Sequence, residues 1–269
     1  MNKIITSIQF DSVSVHHYSL PRWLRGQPFK ALNNINLCIK DKNLAIVGPS
    51  GAGKSTLIEL LFGLRKTTSS HITLFGNSLP ISSRKAQISV SKRMQLIPQE
   101  PHTSLNPYYT IYQILREPLL NLKDESDHTA RIKETLKEVG LSKKLLSLTA
   151  QQLSTGQAQR VAIARALVVK PSILIANEPT SSLDPVSRQK ILDLLMSLKS
   201  RLNMRLILIT HDLQAAQTLC DDILVLDHGE VAEFGPSNQI ITAPNHPTTQ
   251  ALINAQSLII PNQPTQLLE

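Results

Sequence analysis

Gly48-Pro-Ser-Gly-Ala-Gly-Lys-Ser55 decides the fold, because it fits the pattern G-x-x-x-x-G-K-[ST]. It follows a short apolar run, Leu44-Ala-Ile-Val47, and precedes Leu57, Ile58, Leu60, Leu61 and Leu64 at helical spacing. That order predicts a strand buried on both faces, a glycine-rich turn and a helix. Each residue type has a reason. Glycines let the backbone curl so that successive N–H groups point inward, and the helix N-terminus adds its positive end. Lys54 is placed to reach phosphates, and the Ser55 hydroxyl to ligate a divalent cation. At ordinary glycine frequencies the pattern arises by chance in roughly one chain of this length in a hundred. Gly48, Ser50, Gly51, Ala52, Gly53, Lys54, Ser55 and Thr56 are therefore the candidate phosphate ligands of a nucleotide site.

Outward from this loop the periodicities are those of an α/β chain. Ile35, Leu37 and Ile39 alternate with Asn36, Cys38 and Lys40, as a half-buried strand requires. From about 109 to 168 β-branched runs are few, and Ile132, Leu136 and Val139 read as amphipathic helix. Beyond 170 the pattern alternates: strand at 173–176, helix at 186–201, strand at 206–210, helix at 212–220, strand at 223–226. Such alternation predicts a parallel sheet with crossover helices. Asp227-His-Gly-Glu230 reads as a turn, and Pro244, Pro247, Pro261 and Pro264 mark a partly loose tail.

Composition narrows the classes. The chain has 269 residues, 41% apolar and 18% charged, which excludes a disordered tail or a repeat scaffold. No apolar run approaches the roughly 18 residues that span a bilayer. The start, Met1-Asn-Lys-Ile-Ile-Thr6, lacks the pattern of an export signal. Cys38 and Cys220 each sit among apolar residues and read as buried thiols, not as a disulfide or metal framework. His16 and His17 are adjacent on an extended segment and point to opposite faces, so they do not form a metal pair. The net charge of +8 is uneven: all 28 Lys and Arg lie within 1–205 beside 13 acids, whereas 206–269 hold 7 acids and no Lys or Arg. A basic body suits nucleic acid, an anionic membrane surface or a polyphosphate ligand. No groove-reading helix or aromatic stacking platform is visible, so nucleic acid is not expected as a partner.

Further segments follow in a fixed order. They are Gln99, Leu153-Ser-Thr-Gly-Gln-Ala-Gln-Arg-Val-Ala-Ile-Ala-Arg-Ala-Leu167, Ile173-Leu-Ile-Ala-Asn-Glu-Pro-Thr-Ser-Ser-Leu-Asp184 and Ile209-Thr-His-Asp212. With them the chain resembles the ATP-binding subunits of ABC transporters from about residue 8 to 235. The resemblance implies a P-loop NTPase core of α/β class with an antiparallel β subdomain and an inserted helical subdomain at about 109–168. It implies an ATP-binding domain over 1–240 and a short extension over 241–269. ATP and Mg²⁺ are the implied ligands, with Ser55, Gln99 and, weakly, Asn177 toward the metal. Glu178 corresponds to the catalytic carboxylate, His211 to the switch histidine and Gln99 to the glutamine that couples to the membrane partner. Ser154, Thr155, Gly156 and Gln157 correspond to the signature that faces ATP on an opposite subunit, and Asp184 to a residue of the dimer seam. An aromatic upstream of the phosphate loop is needed to stack on adenine; Tyr18 is the candidate, with His17 as the alternative.

Two residues depart from the family pattern. Asn177 stands where Asp is usual, keeping an oxygen for a hard cation but losing its charge. Thr155 stands where glycine is usual, restricting the backbone and adding bulk. In a homodimer both departures fall in both sites, so the pattern favours a heterodimer with a more conventional ATPase subunit, and slow turnover at this chain's own site. A mainly regulatory, non-hydrolysing subunit is the alternative. Within the family, Gln99-Glu-Pro-His-Thr-Ser-Leu-Asn-Pro107 and Ile114-Leu-Arg-Glu-Pro-Leu119 resemble the peptide and nickel importer branch. His246-Pro-Thr-Thr-Gln-Ala-Leu252 resembles it loosely, an aromatic being usual at Thr248. That branch implies import of short peptides or nickel, two permease subunits, an extracytoplasmic binding protein, and a place on the cytoplasmic face of the membrane.

Overall fold

The computed structural model describes residues 7–18 and 28–257; Met1, Pro261 and Pro264 lie outside the described residues, as does the side chain of Tyr18. The chain opens with an antiparallel pair, β1 (Ile8–Tyr18) and β2 (Pro28–Ile39). Then β3 (Leu44–Val47) runs into α1 (Lys54–Leu61). β4 (Ser69–Leu74) and β5 (Asn77–Ser78) return to β1, giving a four-stranded antiparallel sheet in the order β2-β1-β4-β5. After α2 (Arg84–Arg93) and β6 (Met94–Ile97) come the helices α3 (Pro101–Ser104), α4 (Ile111–Asn121), α5 (His128–Glu138) and α6 (Thr155–Leu167). The core closes with β7 (Ile173–Asn177), α7 (Pro185–Leu202), β8 (Arg205–Ile209), α8 (Leu213–Leu219), β9 (Asp222–Asp227) and β10 (Glu230–Pro236). Two helices, α9 (Ser237–Thr242) and α10 (Pro247–Ser257), end the described chain. The second sheet has the order β10-β9-β3-β8-β7-β6, parallel throughout except where β10 meets β9.

The parallel strands read as unbroken apolar runs because both faces are covered, and pleating still sorts their residues. Leu44, Ile46, Ile173, Ile175, Ile207, Ile209, Leu224 and Leu226 face a core shared with α1 and the antiparallel sheet. Ala45, Val47, Leu174, Ala176, Leu206, Leu208, Ile223 and Val225 face a second core, shared with the helices of the insertion and with α7 and α8. Each fully buried Val, Leu or Ile side chain among them contributes about 1.5–3 kcal/mol. The sheet is thus clamped from both sides, which fixes the C-terminal ends of β3, β7 and β8 where the site lies.

Four sequence expectations change. Leu64 is 77% exposed, because α1 ends at Leu61 and Gly63 turns away with a positive φ of 66°. Helical structure begins at Pro101 instead of 109, with proline at the first turn of α3, where its missing N–H costs nothing. Cys38 is exposed: its neighbours Leu37 and Ile39 point inward, so alternation turns the thiol outward. Cys220 is buried as expected, and burial pushes its thiol up to about 12. The tail is not loose as far as Ser257, since Pro247 starts α10 and the Thr248 hydroxyl donates to Asp227 Oδ2 at 2.7 Å. Among the described residues no helix is long and apolar enough to cross a membrane.

Candidate functional site

β3 delivers the chain into the phosphate loop, and close packing behind the loop explains its glycines. A Cβ on Gly48 would lie 2.2 Å from the Leu226 carbonyl oxygen, and one on Gly53 would lie 2.6 Å from the Ala31 carbonyl oxygen. Both have positive φ, 153° and 103°, so substitution is barred by sterics and by backbone conformation. The loop is backed from outside as well: Gly229 N donates to Ala52 O at 3.1 Å. Gly53 caps α1, and the first-turn amides of Lys54, Ser55 and Thr56 have no partner one turn back in the helix. They are available to an anion, together with the positive end of the helix dipole.

Lys54 folds over this loop. Its Nζ donates to Gly48 O at 2.7 Å and to Pro49 O at 2.9 Å. Burial pushes the ammonium below its ordinary pKa, and the nearby Glu178 carboxylate opposes that shift. The ammonium is thus a half-buried cation whose one nearby carboxylate only partly offsets the cost of burial.

The opposite wall comes from strand ends. Asn177 is the last residue of β7, paired with Ile209 of β8, and Glu178 follows with a positive φ of 47°. Its N–H donates to Ile209 O at 2.8 Å, which holds that left-handed turn in place. The Glu178 side chain is only 13% exposed, and its Oε2 lies 3.0 Å from His211 Nδ1. His211 follows β8 and is 71% exposed, so its ring reaches into open space from a fixed base.

These groups line one cavity of about 590 Å³. Gly48, Ser50, Gly51, Ala52, Gly53, Lys54, Ser55 and Thr56 form one side; Gln99, Asn177, Glu178 and His211 form the other. Ser55, Gln99, Asn177 and Glu178 offer an all-oxygen donor set of one carboxylate, one hydroxyl and two amides. Such a set fits a hard cation that takes its remaining ligands from phosphate and water. The described residues contain no self-sufficient cluster of three or more His, Cys, Asp or Glu.

At the cavity's outer end stand His17 and Phe29, cross-strand partners of β1 and β2. His17 Nε2 is buried without a hydrogen-bond partner. Tyr18 pairs through its backbone with Pro28, and the cavity wall is formed by His17 and Phe29. Phe29 was not readable as a site residue, because the register that sets it beside His17 crosses the long connection between β1 and β2.

The structure does not bring every candidate together. Ser154, Thr155, Gly156 and Gln157 lie outside this cavity, at the start of α6. Ser154 Oγ accepts from Gln157 N at 3.3 Å while Gln157 Oε1 accepts from Ser154 N at 3.1 Å, a reciprocal cap. Thr155 is the first residue of α6 and has no positive φ, so it stands there without backbone strain, and its β-branch and bulk remain. Asp184 caps α7, accepting from Val186 N at 3.1 Å and Ser187 N at 3.0 Å; hydrogen bonds from Ser187 hold its carboxyl below the ordinary value.

The chain is similar to known proteins over most of its length. The profile described as ABC transporter matches residues 32–181. The chain is 39% identical over 239 residues to the methionine import ATP-binding protein MetN 1 of Acinetobacter baylyi, covering 88% of this chain and 66% of the relative. It is 34% identical to the di/tripeptide transport ATP-binding protein DppF of Pseudomonas aeruginosa, covering 91% and 78%. It is 38% identical to the nickel import ATP-binding protein NikE of Shigella boydii, covering 81% and 83%. A dimeric ATP-binding cassette, MJ0796 in a post-hydrolysis state with ADP and Pi, superposes with a TM-score of 0.75 at 28% identity, covering 86% of this chain and 98% of that one. A phosphate loop facing a strand-end carboxylate and histidine, in a chain this similar to import ATP-binding proteins, places the chain in the ABC transporter ATP-binding family.

Proposed function

We propose that this chain is the ATP-hydrolysing subunit of a membrane importer for short peptides or nickel. The supporting observation is the convergence of Lys54, Glu178, His211 and Gln99 on one cavity. The phosphate-loop amides and Lys54 bind the β- and γ-phosphates of ATP, replacing the carbonyls of Gly48 and Pro49 as partners of the ammonium. His17 and Phe29 flank the base, beside the expected Tyr18, whose side chain lies outside the described residues. Glu178, at the edge of the buried sheet, orients a water for in-line attack and accepts its proton. His211, steadied by Glu178 through Nδ1, turns its other nitrogen toward the γ-phosphate. Ser55, Gln99 and Asn177 hold Mg²⁺, which supplies positive charge against the phosphate oxygens when bound.

Asn177 makes that metal site one charge poorer, so hydrolysis here is slow compared with a site carrying Asp. The bare signature turn, Ser154 to Gln157, serves ATP on a second ATPase subunit, and Asp184 lies at the seam. A heterodimer is favoured because Thr155 and Asn177 then impair different sites. The regulatory-only reading is set aside because the Glu178–His211 pair is intact. Two permeases, an extracytoplasmic binding protein and the cytoplasmic membrane face complete the reading. Three relatives named for methionine, di/tripeptide and nickel import match at similar identity, which leaves the choice among cargoes open in this chain and fits selection by the permeases and binding protein. The test is ATP-dependent uptake of labelled dipeptide or nickel into vesicles carrying the whole transporter. Uptake that persists with Glu178→Gln in this chain and in its partner together would sink the reading.

A further inference from the structure

The loop that carries His211 is held from a side that the catalytic reading does not use. α10 runs back along the core, and Gln256 near its end meets this loop. Gln256 Oε1 accepts from Leu213 N at 2.9 Å, and Gln256 Nε2 donates to the His211 carbonyl. One carboxamide therefore grips the backbone on both sides of Asp212, and Leu213 N is a first-turn donor of α8 that would otherwise lack a partner. Asp212 is engaged elsewhere. Its Oδ1 accepts from Gln214 N and Ala215 N, and its Oδ2 pairs with Arg188 of α7. The His211 ring is thus left to face Glu178 and the cavity, over a backbone clamped by α7 and α10.

The other end of α10 is anchored too. Thr248 Oγ1 donates to Asp227 Oδ2 at 2.7 Å, and Asn245 N and His246 N donate to Glu233 at 3.0 and 3.2 Å. Asp227 precedes the turn whose Gly229 backs the phosphate loop. From Thr248 to Gln256 is about 12 Å of helix at 1.5 Å per residue. α10 is a strut between the turn behind the phosphates and the loop that presents His211.

We propose that Gln256 is a positioning residue for ATP hydrolysis: through its two bonds to the His211 loop, α10 sets where the imidazole stands. The proposal rests on the reading of His211 given above. The experiment is single-turnover hydrolysis of MgATP by the assembled transporter, this chain with its partner ATPase subunit and permeases, in excess over nucleotide, with amide hydrogen exchange on the same samples. Gln256→Ala is expected to lower the saturating rate roughly 10- to 100-fold, with half-saturation moved by less than about threefold. Exchange at Leu213 should quicken about tenfold or more while the β8 amides keep their protection. In a His211→Ala background Gln256→Ala should add no further loss, as expected of residues acting through one group. Gln256→Glu keeps the acceptor toward Leu213 N and loses the donor toward His211 O; it should give an intermediate rate, and it carries the test if the alanine variant does not fold. An unchanged rate in Gln256→Ala, with His211→Ala inactive, overturns the proposal and leaves the catalytic reading standing. A loss of β8 protection alongside the rate marks a purely structural role and overturns it as well. Wild-type hydrolysis by His211→Ala overturns the catalytic reading itself, and the proposal with it.

Discussion

The N-terminus of α1 and the N-terminus of α6 both present helix-end amides, and they are built differently. Behind α1 the phosphate loop is walled by backbone: Leu226 O behind Gly48, Ala31 O behind Gly53, and Gly229 N on Ala52 O. Its ammonium already leans on two carbonyls, and a carboxylate and a histidine stand across the cavity. At α6, Ser154 and Thr155 are exposed, and the cap is made by Ser154 and Gln157 of the same turn. The first is a complete pocket wall within one chain. The second is a helix start capped from within its own turn, with Ser187 of α7 close by: a Cβ on Gly156 would lie 3.9 Å from the Ser187 hydroxyl oxygen.

That contrast can be broken or sharpened by substitution. The largest effect belongs to Gly48→Ala, which drives a methyl into the Leu226 carbonyl at a positive φ. It should cost more than about 2 kcal/mol of stability and remove measurable ATP binding by calorimetry. Retained affinity would show that the loop is not braced from behind. Next comes Glu178→Gln, which keeps the shape of the strand end but loses the charge. Single-turnover hydrolysis should fall roughly 100-fold or more with nucleotide affinity nearly unchanged, and equal loss of both would assign Glu178 to binding. Asn177→Asp should act in the opposite direction, raising the rate several-fold and lowering the Mg²⁺ needed, since it restores one charge beside the metal. No change in either would remove the explanation for a slow site. Smallest is Ser154→Ala, expected to cost about 1 kcal/mol through loss of the cap and to leave this chain's own ATP affinity untouched. A drop in that affinity would mean that the signature turn serves the same chain's pocket.

Legibility in the sequence followed the range of the interactions. The phosphate loop and the strand–helix alternation after 170 were readable because each is fixed within a dozen residues by sterics and periodicity. Glu178 and His211 were readable only through the family pattern; by themselves they are a strand-end acid and an isolated histidine. The exposure of Cys38 was implied by the alternation of Ile35, Leu37 and Ile39, but apolar neighbours on either side pointed the other way. Prolines misled in the tail: Pro247 opens a helix instead of marking a loose end, since proline is well placed at a first turn.

By itself the sequence determined the glycine positions of the loop, the strand–turn–helix around it, the alternation of strands and helices after 170, and the two departures at Thr155 and Asn177. Those properties are local or count residues along the chain. Only the tertiary structure decided that Phe29 joins His17 at the cavity mouth, that Thr155 adds bulk without backbone strain, and that Gln256 grips the His211 loop from a helix 45 residues downstream. Those contacts depend on strand register and on how α10 docks, and no periodicity in the chain encodes which distant backbone a side chain will meet.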